Sequence, residues 1–178
     1  MKLRPVAGDE AFGKQVVALR DALIYTETPF DISLMRAMRE RQVRHLVTAG
    51  TFNAKFSPGG LVDLEYLVQG LQITHGRRHP PLRQTNTLAA LEILRQLGVL
   101  THEHNVQLRE AYAFLRELIE ALRMVRGNAK DLHVPSPDSD EFTFLARRLA
   151  YEGHVQSLRD HLYQYTLAVQ ELNDRLLA

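Results

Sequence analysis

Asp63, Glu65 and Gln69 interrupt the otherwise apolar run LVDLEYLVQ, and that run is introduced by KFSPGG, which carries Lys55, Gly59 and Gly60. Carboxylates set among leucines and valines have the strongest reason to do chemistry. Burying one is costly unless it meets a cation, backbone N–H groups or a ligand. Spaced two apart on a helix, Asp63 and Glu65 point to different sides, so they form neither a joint acid/base dyad nor a two-carboxylate metal site. Each needs its own partner. The candidate arginines are Arg36, Arg39 and Arg44 in MRAMRERQVRHL, with Arg116 and Arg123 in AYAFLRELIEALRMVR.

On a helical wheel, Leu61, Leu64, Leu67, Val68 and Leu71 share one arc, while Val62, Tyr66 and Ile73 share a second. Glu65, Gln69 and Gln72 fill a narrow wedge between them, and Asp63 lies in the opposite gap. This pattern predicts a helix in the middle of a bundle. Ahead of it, Pro58 fixes a turn, and Gly59 and Gly60 let another group come close to the helix N-terminus. Such a terminus attracts anions, so with Lys55 upstream it can face a phosphate or the acidic rim of an adjoining domain. The same glycines also suit close helix packing, with Lys55 in solvent. KFSPGG is not a Walker loop, because the Gly-Lys-Ser/Thr ending is missing.

Other chemistries find less support. His75 and His79 are spaced by four, but Gly76 and the following prolines interrupt the helix that would align them; His102 and His104, two apart, do not converge. No metal site is expected. Cysteine is absent, which removes disulfides and thiolate catalysis and fits a reducing compartment, the cytoplasm. Serine hydrolysis lacks a nucleophile elbow. The basic stretch HGRRHPPLR reads as a loop between helices, able to meet acidic surface or phosphate. The formal net charge is +1. With no interleaved aromatics and no apolar run near the roughly twenty residues of a membrane span, neither nucleic acid nor membrane is expected as a partner.

Positioning these residues falls to helices. Apolar residues recur at steps of three and four throughout, so the chain is read as all-α, an antiparallel bundle of about seven helices in one domain over residues 1–178. Asp9 is expected to cap a first helix to about Tyr25, and Asp31 a second to about Ala49. The third ends at Gly76 before the proline pair, and a fourth runs from about Thr85 to Leu97, with Gly98 closing it. From Thr101 a long helix carries Leu108, Tyr112, Leu115, Ile119, Leu122 and Val125, the expected spine. NAKDLHVPSPDSD is a loop that either offers a partner surface or covers the core. Ser139 or Asp140 caps the next helix, Gly153 breaks it, and a last helix spans about His154 to Leu177.

KFSPGGLVDLEYLVQ, HPPLRQTNTLAALEILRQLGVL and LREAYAFLRELIEALRM together resemble the helical domain that follows the nucleotidyltransferase domain in glutamine synthetase adenylyltransferases, a relative of the PII uridylyltransferase helical domain. LRPVAGD and MRAMRERQ resemble the segment joining the two domains, and the likeness covers residues 3–151. It implies a part in transferring AMP from ATP, with magnesium, to glutamine synthetase, or in removing it, under control of PII signal proteins. The family's catalytic Gly-Ser pair and strand-borne Asp-x-Asp are missing here. The chain is therefore expected to be the accessory domain, inactive alone, with the catalytic domain as its partner. The family motif falls on Lys55, Gly59, Gly60, Asp63, Glu65 and Gln69, which by resemblance lie at the nucleotide or the domain interface. Both acids also suit a purely structural role in buried salt bridges. A stand-alone regulatory module for a nitrogen-signalling protein is the other expectation.

Overall fold

The computed structural model describes residues 1–128, 130–151 and 154–177. Among these residues seven helices follow in order: α1 (Glu10–Ile24), α2 (Ile32–Leu46), α3 (Leu61–Gly76), α4 (Thr87–Gln96), α5 (His102–Arg126), α6 (Asp140–Arg148) and α7 (Val155–Leu176). A single turn of 3-10 helix at Pro80–Leu82 precedes α4, and an isolated β-bridge joins Asn53 to His133. The all-α expectation holds.

Helix starts are set by side-chain acceptors for otherwise unsatisfied first-turn N–H groups. Asp9, Asp31, Thr101 and Ser139 each accept from the N–H three residues on. Asn86 does the same for Ala89, which moves the start of α4 from the expected Thr85 to Thr87. The predicted break at Gly153 lies outside the described residues; the helix itself stops at Arg148, and Ala150 adopts a left-handed φ of 62°. An alanine there costs about 1–2 kcal/mol, which glycine does not incur. Ala150→Gly is accordingly expected to raise stability by about 1 kcal/mol, read as a higher urea midpoint at unchanged slope.

α5 is the spine, long enough to serve two adjoining cores. Leu108 and Ala111 pack with Leu64, Leu67, Val68 and Leu71 of α3, Leu91 and Leu94 of α4, and Val169 and Leu172 of α7. Further along, Leu115, Leu118 and Leu122 pack with Phe142 and Leu145 of α6 and Leu158 of α7. Tyr112 and Tyr165 touch both groups. α3 is enclosed on most sides, as its two apolar arcs require. By contrast, Gly13 is the buried residue of α1 and Arg39 that of α2, so these two helices form the margin of the bundle.

Candidate functional site

The segment between α2 and α3 is wound tightly by its own polar groups. Asn53 Oδ1 accepts hydrogen bonds from the backbone N–H groups of Lys55 (3.1 Å) and Phe56 (3.0 Å), and Ser57 Oγ accepts from Asn53 N–H (2.7 Å). The proline-rich segment after α5 braces it from outside: Ala54 N–H donates to Leu132 O (2.9 Å) and Val134 N–H to Phe52 O (2.8 Å). Leu132 is buried, so this segment covers the core and supports the loop.

The α3 N-terminus is already satisfied within the chain. Gly60, Leu61 and Val62 N–H groups donate to the carbonyls of Ser57 (2.8 Å), Ala54 (3.1 Å) and Lys55 (3.0 Å). Gly59 has a φ of +75°, and a Cβ built on it would collide with the Thr166 carbonyl of α7. The group that approaches this glycine is thus a neighbouring helix backbone.

Asp63 holds the arrangement shut. Its Oδ2 accepts from Gly59 N–H (2.7 Å), and its Oδ1 accepts from Arg39 Nε of α2. Arg39 Nη2 in turn donates to Phe56 O (2.7 Å) and Ser57 O (3.1 Å). Asp63 is 8% exposed and Arg39 9%. From α7, Gln170 Nε2 donates to Pro58 O (3.2 Å) and Asn173 Nδ2 to Asp63 O (3.3 Å). Of the five candidate arginines, Arg39 is the one that meets Asp63.

The six motif residues therefore divide. Lys55, Gly59, Gly60 and Asp63 belong to one cluster. Glu65 lies on another side of α3, partly buried, with Lys2 Nζ at 4.0 Å as its cation. Gln69 lines an apolar groove between α2 and α3 with Leu34, Met38 and Tyr66. Lys55 is partly exposed; its Nζ lies 5.0 Å from the Phe56 ring centroid, and it makes no ion pair among the described residues. Asn53, Ser57 and Gln72 were not singled out from the sequence as structural residues. Asn53 carries a readable signal, since a loop asparagine commonly bonds the backbone just ahead of it. Gln72 carries none: its Nε2 donates to Leu82 O (2.7 Å) and Gln84 O (2.8 Å), partners set by tertiary packing.

The basic stretch after α3 clamps α1. Arg83 stacks 4.8 Å over the Tyr25 ring and reaches Asp21 at 3.5 Å, while Arg77 pairs with Glu27. Burial, with His79 next in importance, lowers the pKa of His75. Among the described residues no group of three or more His, Asp or Glu is arranged to hold a metal ion.

Two carboxylates, Asp31 exposed and Asp131 partly buried, steady the supports of the loop. The Ser33 hydroxyl and the Leu34 N–H hold Asp31, the α2 cap, below the usual carboxylate range. The backbone N–H of His133, then its ring, does the same for Asp131. A depressed folded-state pKa contributes stability that is present above the unfolded value, near 4, and is lost as pH falls through the folded one. The urea midpoint should therefore drop as pH falls below about 4, and Asp31→Asn should flatten part of that fall.

Residues 33–177 match the family described as GlnD PII-uridylyltransferase. Individual relatives include the bifunctional glutamine synthetase adenylyltransferase/adenylyl-removing enzyme of Streptomyces avermitilis, 38% identical over 180 residues, covering 99% of this chain and 18% of that protein. The Streptomyces coelicolor enzyme of the same name is 34% identical over 162 residues, covering 87% of this chain and 16% of its own. That of Corynebacterium glutamicum is 31% identical over 185 residues, covering 99% and 18%. The chain thus spans less than a fifth of the length of these relatives. The family match begins inside α2 and runs through α7, so it takes in Arg39, Asp63 and the whole loop between them. The chain belongs to the GlnD PII-uridylyltransferase family, as a helical domain similar to that of glutamine synthetase adenylyltransferases.

Proposed function

We propose that this chain is the accessory domain of a cytoplasmic glutamine synthetase adenylyltransferase, and that the loop carrying Lys55 meets the nucleotidyltransferase domain, which uses ATP and magnesium. The observation that carries this reading is the buried Arg39–Asp63 pair. Two charges taken out of water stabilise a fold less well than apolar residues of similar size, so their use here is best accounted for by the single loop conformation they impose. That conformation leaves the Lys55 ammonium beside Phe56, with no ion pair among the described residues. The α3 N–H groups are bonded to loop carbonyls, which favours Lys55 over the helix terminus as the group that reaches a nucleotide phosphate or an acidic rim. Glu65 and Gln69 seat the helix. Glutamine synthetase as protein substrate and PII as regulator follow from the same reading.

Calorimetry tests it. Mg-ATP added to the folded chain alone should give no saturable heat. The nucleotidyltransferase domain of the Streptomyces avermitilis relative should bind the chain, and Lys55→Ala should weaken that binding about tenfold with the helical circular dichroism unchanged. A folded chain that ignores this domain would sink the reading and leave a stand-alone regulatory module in its place.

A further inference from the structure

Two side chains, one on the Lys55 loop and one on the segment that braces it, face each other with orientations fixed independently. Asn53 Oδ1 is taken up by the Lys55 and Phe56 N–H groups, which leaves its Nδ2 to meet His133 Nε2 at 3.5 Å. On the far side of the ring, His133 Nδ1 lies 3.0 Å from Asp131 Oδ1. Asp131 stays a carboxylate, its pKa lowered first by the His133 backbone N–H and next by the ring, and a carboxylate only accepts. Nδ1 therefore carries the proton of the neutral ring, and Nε2 is left bare as an acceptor for the Asn53 amide. The charges nearby come from two helices. Arg126 of α5 donates from Nη2 to His133 O (3.3 Å) and lies with Nη1 3.3 Å from Asp131 Oδ2, while Glu141 of α6 lies 3.5 Å from Arg126. The His133 side chain is 26% exposed, so water reaches it.

We propose that His133 is a proton-sensitive brace on the loop that presents Lys55. Protonation puts an N–H at Nε2, and two donors then face each other. Asn53 has no second orientation to offer, because turning its amide over would set Nδ2 against the Lys55 and Phe56 N–H groups. Asn53 is 4% exposed, so an Nδ2 that loses this acceptor stays buried without one. The clash is relieved by parting the ring from Asn53. The backbone bonds from Ala54 N–H to Leu132 O and from Val134 N–H to Phe52 O remain, so the loop loosens at Asn53 rather than unfolding. The consequence for docking rests on the accessory-domain reading: with the Asn53 turn loosened, Lys55 is presented less firmly, and contact with the nucleotidyltransferase domain weakens in acid. A histidine titrates well above the carboxylates that destabilise the chain below about pH 4, so the two effects separate.

Amide NMR of the full chain between about pH 8 and pH 5 tests the brace without any partner. The Lys55 and Phe56 amide signals should move with the midpoint read from the His133 ring. His133→Gln, whose side-chain carbonyl still accepts from Asn53 and does not titrate, should hold those signals still. Asp131→Asn, which removes the neighbouring carboxylate, should carry the midpoint of ring and amides together to lower pH. Over the same range, affinity for the nucleotidyltransferase domain of the Streptomyces avermitilis relative should fall about three- to tenfold more for the wild-type chain than for His133→Gln. Amide signals that stay fixed while the His133 ring titrates would overturn the proposal. Equal movement in His133→Gln would overturn it as well, by assigning the change to another group, and equal falls in affinity would overturn the link to docking. Failure of the accessory-domain reading looks different: no binding at either pH, with amide signals that still follow His133.

Discussion

Replacing Asp63 by alanine is expected to cost about 3–5 kcal/mol, because it leaves the Arg39 guanidinium buried without its counter-charge. Asparagine should be almost as damaging. Both carboxylate oxygens accept hydrogen bonds, one from Gly59 N–H and one from Arg39 Nε, and the amide of asparagine would set a donor against one of those donors. The paired replacement Arg39→Met with Asp63→Leu separates the charge from the hydrogen bonds. Apolar substitution of a buried ion pair is often neutral or stabilising. Here it should still destabilise, since Phe56 O, Ser57 O and Gly59 N–H lose their partners at about 1–3 kcal/mol for each group left buried and unsatisfied. Urea unfolding of the three variants decides the matter. A double variant as stable as wild type would mean that the loop finds other partners and that the ion pair does not fix its shape.

The reasons these residues pair were legible in part. Two apolar arcs on α3 implied burial, burial implied a cation for Asp63, and Arg39 stood among the five arginines considered. The choice among them was not legible, because it depends on where α2 crosses α3. Glu65 shows the limit more sharply: its cation is Lys2, brought alongside by an N-terminal segment that no periodicity places. The glycines were read correctly as a site of close approach, with an anion and a helix both open as the approaching group. Thr166 lies more than a hundred positions along the chain from Gly59, so only the fold could name it. Caps fared best, since Asp9, Asp31 and Ser139 act on N–H groups three residues away and need no tertiary information.

Gly59→Ala is the second large effect expected. The left-handed φ of +75° alone costs an alanine about 1–2 kcal/mol. The new Cβ must also push against the Thr166 carbonyl, a backbone atom that cannot swing aside as a side-chain tip would. Overpacking of that kind adds about 1–3 kcal/mol, for a total of about 2–5 kcal/mol. Gly98 supplies the internal control, having a φ of +72° with nothing within 4 Å of the added carbon. Gly98→Ala should therefore report the backbone term by itself, and the difference between the two variants measures the seat of the loop on α7. If Gly59→Ala proves no worse than Gly98→Ala, the loop can lift away from α7 at little cost. Lys55 would then be held by the Arg39–Asp63 pair and the loop's own hydrogen bonds without help from α7, and Gly59→Ala should bind the nucleotidyltransferase domain as wild type does. If the difference is large, the same variant should lose binding together with stability, because the surface that carries Lys55 is fixed from α7 as much as from α2.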